Sequence, residues 1–189
     1  MLLSDNMNLK SIFNISNSLS FIRLLLVIPA YFAFHNFDQN LARYSVAAIG
    51  IFAAITDILD GYLARKLNQI TEFGKIIDPL ADKVLVVYVV LNLFFLREIP
   101  DYYFYMVVAR DALILTGGLI VSRKIGKVLP SDYLGKATVL AISFVLLMIL
   151  LNVDENSIPY IFLYYVSIIL IFTSLINYIF KAYKAVTAK

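Results

Sequence analysis

The chain has 189 residues, 61% of them hydrophobic, with charged residues at only 15% and a formal net charge of +3. A mean hydropathy of +0.84 puts it outside the range of soluble domains and into a bilayer. The absence of cysteine excludes disulfides, thiolate nucleophiles and Cys-ligated metal centres, and one histidine, His35, cannot build a His-based site, so any metal must be held by oxygen.

Residues 1–18 are too polar to span a membrane. Met7, Leu9, Ile12, Phe13 and Ile15 give that stretch the apolar face of a short amphipathic helix lying on the bilayer. No cleaved signal peptide is expected, because the apolar stretch from Leu19 to Phe34 runs on into Asn36 and Asp38 without a small-residue cleavage site. Six apolar stretches follow, at 19–34, 41–63, 76–96, 103–121, 134–153 and 158–180, most near the length needed to cross about 30 Å. The sequence predicts an all-α membrane protein in which residues 19–189 form one six-helix domain. Thirteen Lys and Arg fall in the two tails and the second and fourth connections with their flanks, whereas only Arg43 and Arg97 flank the others. That asymmetry predicts cytoplasmic termini and cytoplasmic loops at 64–75 and 122–135. The basic residues are dispersed among the apolar segments, so they set topology and do not form a nucleic-acid surface.

The second and third stretches carry four aspartates. Asp57 and Asp60 are three residues apart, Asp78 and Asp82 four apart, so each pair shares one helix face. An unpaired Asp near the centre of a membrane helix costs about 2.5–3.5 kcal/mol, so four such groups require partners. The short connection predicts antiparallel neighbours whose acidic faces meet. Four carboxylates together suit Mg²⁺ or Mn²⁺, in a two-metal site with the ions roughly 3.5–4 Å apart. Gly61 and Ala64 leave the helix bare beside this cluster, Gly74 admits a close backbone, and Pro79 sits in the first turns of its helix. Arg65 has the fork to hold a phosphate or a carboxylate. A plainer arrangement pairs the aspartates with Arg65, Lys66, Lys75 and Lys83 in a wet helix end, but leaves the glycines and the alanine unexplained.

Taken together, Asp57-x2-Asp60-Gly61-x2-Ala64-Arg65-x8-Gly74-x3-Asp78-x3-Asp82 resembles the signature of the CDP-alcohol phosphatidyltransferase family at all eight specified positions. The resemblance implies a six-span membrane enzyme that transfers a phosphatidyl group from CDP-diacylglycerol to a small alcohol and releases CMP. It assigns divalent metals to Asp57, Asp60 and Asp78, and to Asp82, within reach of the same ions, the deprotonation of the attacking hydroxyl. It places the cytidine and pyrophosphate near Gly61, Ala64, Arg65 and Thr71. Upstream, Asn17-x2-Ser20-x2-Arg23 is similar to the family's opening N-x2-T-x2-R, with serine in place of threonine. Ser20 and Arg23 thereby join the expected donor-lipid site, and Asn17 and Gly74 are given structural roles. The resemblance also implies a homodimer in a cell membrane, with the site facing the cytoplasm.

For the acceptor, Arg110 lies inside the fourth stretch, where an unneeded arginine would be expensive. With Arg65, Lys136 and one or more of Arg123, Lys124 and Lys127 it can form a basic pocket for an acceptor phosphate, Asp111 orienting Arg110. A purely structural pairing of Arg110 accounts for the same residue. The run Ala109-Arg-Asp-Ala-Leu-Ile-Leu-Thr-Gly117-Gly118, with Gly135-Lys136-Ala-Thr138 downstream, is similar to the branch of the family that contains phosphatidylglycerophosphate and cardiolipin synthases. Glycerol 3-phosphate fits a small basic pocket best. Inositol phosphate, serine and phosphatidylglycerol are the other acceptors.

Tyr102, Tyr103, Tyr105, Tyr160, Tyr164 and Tyr165 near stretch ends are expected to anchor the protein at the interface, as Lys181, Lys184 and Lys189 are to set topology and touch headgroups. Gly117 and Gly118 predict close helix packing. A cation transporter would also use intramembrane aspartates, but these cluster at one end and no repeated half is visible. A non-catalytic interaction protein would need none of the four together.

Overall fold

The computed structural model describes residues 15–37, 39–66, 74–125 and 132–187, with side chains over 18–37, 39–59, 83–123 and 132–187. The described elements are all helices: α1 (Ile15–Leu25), α2 (Val27–His35), α3 (Asn40–Lys66), α4 (Gly74–Phe95), α5 (Asp101–Ile125), α6 (Tyr133–Leu150) and α7 (Ile158–Thr187). The first helix starts inside the stretch expected to be amphipathic; residues 1–14 of that stretch lie outside the described ones.

Among the described residues five segments are long and apolar enough to cross a membrane: Ser18–His35, Asn40–Leu59, Asp101–Arg123, Tyr133–Leu150 and Ile158–Thr187. The first takes in both α1 and α2. Pro29 has no N–H to give to the Leu25 carbonyl one turn earlier, and the chain tightens at Leu26, whose N–H is shared between Ile22 O (3.0 Å) and Arg23 O (3.2 Å). Of the six expected spans, five are found by this measure among the described residues. α4 is 22 residues long, but its apolar part among the described residues is Lys83–Phe95, about 20 Å of helix. At most 39% of any of the five segments is buried, and side chains such as Phe32, Phe95 and Ile158 stand open on the surface, as a lipid-facing protein requires.

The chain forms two compact units, Met1–Asn92 and Leu93–Lys189. In the first unit Ala30 of α2, Ala53 of α3 and Leu85 of α4 make a buried cluster, with Leu26, Val27, Ile49 and Tyr88 packed around it. Two alanines at the centre let the backbones come close, as small residues do between membrane helices. The contacts also fix direction. Arg23 meets Asp57 where Ala30 meets Ala53, so α3 runs against α1 and α2. Phe34 meets Tyr88 (ring centroids 5.9 Å apart) where Ala30 meets Leu85, so α4 runs with α2 and against α3.

In the second unit α7 is the common partner of α5 and α6. Its buried residues, Tyr160, Tyr164, Ser167, Ile171 and Ser174, follow a four-three-four-three spacing that keeps one stripe on the neighbouring helices. That stripe is largely polar. Tyr103 and Ser167 share a hydrogen bond (2.9 Å), the Thr138 hydroxyl donates to the Leu170 carbonyl (3.1 Å), and Arg110 Nε donates to Ser174 Oγ (3.4 Å). Such bonds between membrane helices contribute about 0.6 kcal/mol each on average, and lipid offers no hydrophobic force to replace them. Gly117 and Gly118 do mark a close contact: a Cβ on Gly118 would come within 3.0 Å of the Tyr178 hydroxyl, and one on Gly117 within 3.2 Å of its ring.

The tyrosines need a correction. Tyr102, Tyr105 and Tyr165 are exposed, in keeping with interfacial anchoring, but Tyr103, Tyr160 and Tyr164 are buried. Tyr103 stacks on Tyr164 at 4.8 Å, Tyr160 on Tyr164 at 5.9 Å, and Tyr164 donates to the Tyr102 hydroxyl at 2.7 Å. These rings hold α5 to α7, because each buried hydroxyl must find a partner and aromatic faces supply area.

Candidate active site

The first unit carries the acidic motif residues. Arg23 of α1 is 2% exposed, and its Nη1 donates to Asp57 Oδ1 of α3 at 3.3 Å, while the Asp57 side chain is 52% exposed. The asymmetry matters, since a guanidinium this deep cannot reach far beyond its own helix contacts, whereas the carboxylate it meets is open. A carboxylate accepts about four hydrogen bonds or metal contacts, so Asp57 keeps most of its capacity after taking Arg23. Ser20, one turn before Arg23, is fully buried.

Helix register brings the other aspartate positions to the same level. Counting from the Ala53 and Leu85 contact, Asp57 lies four residues further along α3 and Asp82 three residues back along α4, about 6 and 4.5 Å away. Asp60 and Asp78 each lie seven residues from the contact, about 10.5 Å along their helices. Since α3 and α4 run in opposite directions, the four positions fall in two facing layers one turn apart. All four donors are hard oxygen atoms, the set that Mg²⁺ or Mn²⁺ takes. Of the four, the side chain of Asp57 is among the described ones; those of Asp60, Asp78 and Asp82 lie outside them, as do those of Asn17, Gly61, Ala64, Arg65 and Gly74, and Thr71 altogether. Among the described residues no three acidic side chains gather around a metal position.

The second unit carries a cationic group of its own. Arg110 is 6% exposed on α5 and reaches three partners: Nη1 meets Asp111 Oδ1 at 2.6 Å, Nε donates to Ser174 Oγ of α7, and Nη2 donates to the Gly135 carbonyl of α6 at 3.4 Å. A guanidinium has five N–H groups, so two remain. The pairing with Asp111 that the sequence suggested is present, and Arg110 also joins α5, α6 and α7. Lys136, the residue after Gly135, stands exposed in the first turns of α6, and Arg123 is exposed near the end of α5. Lys124 and Lys127 lie outside the described side chains.

The model of CDP-alcohol phosphatidyltransferases matches residues 13–180, nearly the whole chain. The chain belongs to the CDP-alcohol phosphatidyltransferase family. It is similar to a protein of Aquifex aeolicus (strain VF5) named CDP-diacylglycerol–glycerol-3-phosphate 3-phosphatidyltransferase, 38% identical over 180 residues that make up 92% of this chain and 98% of that one. A protein of the same name from Bacillus subtilis (strain 168) is 32% identical over 150 residues, 71% of this chain and 77% of its own. A third, from Wigglesworthia glossinidia brevipalpis, is 49% identical over 74 residues, 39% of this chain and 40% of that one. With five apolar crossing-length helices, this member of the family is a multi-pass membrane protein.

Within this family member the structure adds to the sequence motifs. Arg23, expected among the donor-lipid residues, is buried and bonded to Asp57. Ser174, the Gly135 carbonyl, Asp132 and Asn177 were not singled out from the sequence. Ser174 could have been found, because a lone serine at a stripe position of an apolar helix is a candidate interhelical partner. Lys181 was read as a topology signal, yet it pairs with Asp132 at 3.0 Å, so it is also a tie between α7 and the start of α6.

Proposed function

We propose that this protein transfers the phosphatidyl group of CDP-diacylglycerol to glycerol 3-phosphate, forming phosphatidylglycerophosphate and CMP in phospholipid biosynthesis. The observation that carries the reading is the complete aspartate signature on two antiparallel helices, in a chain that matches phosphatidyltransferases of that name over nearly its full length. Donor and acceptor then fall to different residues.

In the first unit Asp57, Asp60, Asp78 and Asp82 would hold two divalent cations, Mg²⁺ or Mn²⁺, which when bound supply neutralisation of the pyrophosphate and of the departing CMP. Arg23 holds the Asp57 carboxylate in place from beneath. Gly61 and Ala64 leave room for the cytidine, Arg65 takes a phosphate oxygen, and Thr71 and Ser20 border the donor. The lipid's acyl chains lie in the bilayer along the exposed apolar helix faces. Asp82 takes the proton of the acceptor hydroxyl as its oxygen bonds to the phosphatidyl phosphorus; the bond from that phosphorus to the CMP oxygen breaks, and CMP leaves with the electron pair. No covalent enzyme intermediate is needed.

In the second unit Arg110 and Lys136 take the acceptor phosphate. Arg110 is fixed by Asp111, Ser174 and Gly135 with two N–H groups to spare, and Lys136 is exposed beside it in sequence on α6. The distribution of Lys and Arg supports a site and both termini at the cytoplasmic face, with α4 as a sixth crossing whose acidic half lines the site. The family resemblance supports a homodimer.

The test is acceptor-dependent CMP release by the purified protein with CDP-diacylglycerol and Mg²⁺ or Mn²⁺. Release with glycerol 3-phosphate, and none with inositol phosphate, serine or phosphatidylglycerol, is the expected result. Release with one of the others would overturn the acceptor assignment and leave the transfer chemistry in place.

A further inference from the structure

Asp132 sits at the N-cap of α6 with extended backbone angles (φ −99°, ψ 149°), the geometry from which an aspartate ordinarily caps its own helix. It makes no such cap. Its carboxylate is turned to α7 instead, where Oδ1 meets Lys181 Nζ at 3.0 Å and Oδ2 accepts from Asn177 Nδ2. Asn177 and Lys181 are four residues apart on α7, one and two turns beyond Ser174, which holds Arg110. The tie therefore continues the polar stripe of α7 to the start of α6.

The consequence falls on Lys136. It follows Asp132 by one helical turn, its N–H bonding the Asp132 carbonyl at 3.1 Å. An Asp four residues ahead of a Lys on a helix is the favourable orientation for an ion pair. Yet among the described residues the ion pair of Asp132 is made with Lys181, and Lys136 stands exposed without one. A carboxylate within a turn of a phosphate-binding lysine would compete for its charge and repel a dianion.

We propose that Lys181 is a positioning residue for the acceptor: by neutralising Asp132 and drawing it to α7, it reserves Lys136 for the phosphate of the incoming alcohol. This rests on the reading of Lys136 as an acceptor-phosphate residue. It gives the C-terminal part of α7 a role in acceptor affinity although Lys181 need not touch the acceptor.

The experiment compares steady-state kinetics of the full-length protein with Lys181→Met, Lys181→Met/Asp132→Asn and Lys136→Ala, varying each substrate in turn. Lys181→Met releases Asp132 toward Lys136, and the KM for glycerol 3-phosphate rises about fivefold, the upper end of what an exposed ion pair supplies. The KM for CDP-diacylglycerol and kcat stay as they were. Adding Asp132→Asn removes the competing charge, keeps an acceptor for Asn177, and returns the KM to within about twofold of the parent. A merely structural tie predicts the reverse, a double variant as impaired as the single one or worse, and that result overturns the proposal; so does a Lys181→Met protein with an unchanged KM. If Lys136→Ala itself leaves the glycerol 3-phosphate KM unchanged, the acceptor-site reading fails, and the role of Lys181 falls with it.

Discussion

The two units pair a buried arginine with an open carboxylate in the same way and differ in what stands beside the pair. In Met1–Asn92 Arg23 lies beneath and the Asp57 carboxylate looks out. In Leu93–Lys189 Arg110 is buried and its partner Asp111 is half exposed, but the exposed lysine nearby on α6 has no ion pair among the described residues. The first arrangement presents negative oxygen atoms, suited to metal ions; the second presents positive nitrogen atoms, suited to a phosphate. The difference teaches that a buried arginine has two uses in this fold, as a support beneath an open carboxylate and as a hub that ties three helices with two N–H groups to spare.

The strongest way to break the comparison is at Asp82. If it takes the proton, Asp82→Asn lowers acceptor-dependent CMP release on the order of a thousandfold, while thermal melting in detergent and donor binding hold. A loss of donor binding as well would make Asp82 a metal ligand above all. Next in size is Arg23. As a support for a metal-holding carboxylate, its replacement in Arg23→Gln weakens Mn²⁺ binding to the substrate-free protein about 10- to 100-fold, read by the Mn²⁺ resonance signal. Unchanged Mn²⁺ affinity with a raised KM for CDP-diacylglycerol would show that Arg23 meets the lipid directly. The smallest effect belongs to the second unit. The Tyr178 hydroxyl is buried against Gly118 with no hydrogen-bond partner among the described residues, so Tyr178→Phe leaves the melting temperature unchanged or slightly higher. A clear fall would mean that the hydroxyl is satisfied in the working protein.

The first unit was the more legible in the sequence, and the reason is energetic. Four aspartates in apolar stretches are too costly to be incidental, and their spacings of three and four are enough to name the helix face they share. Arg23 was visible as a residue but not as a buried one, because hydropathy does not say which side of a short, proline-bent span faces inward. Five of the six expected crossings are found among the described residues, and of α4 these include the apolar Lys83–Phe95. In the second unit the pattern is inverted relative to soluble helices. Lipid takes the apolar residues on the outside, and the inward stripe of α7 holds tyrosines and serines, so a search for apolar periodicity overlooks it. Asp132 and Asn177 are 45 positions apart, and nothing local in either joins them. Lys181 carries the composition of a topology signal; that it pairs with Asp132 is a tertiary fact.

The division of labour between the units is tested most directly by calorimetric titration of two variants with two ligands, CMP in the presence of Mg²⁺ and glycerol 3-phosphate. Asp57→Asn is predicted to lose Mg²⁺-dependent CMP binding and keep glycerol 3-phosphate binding; Lys136→Ala is predicted to do the reverse. A crossed result, with Lys136→Ala losing CMP or Asp57→Asn losing glycerol 3-phosphate while the protein remains folded, would contradict the assignment of donor and acceptor to separate halves.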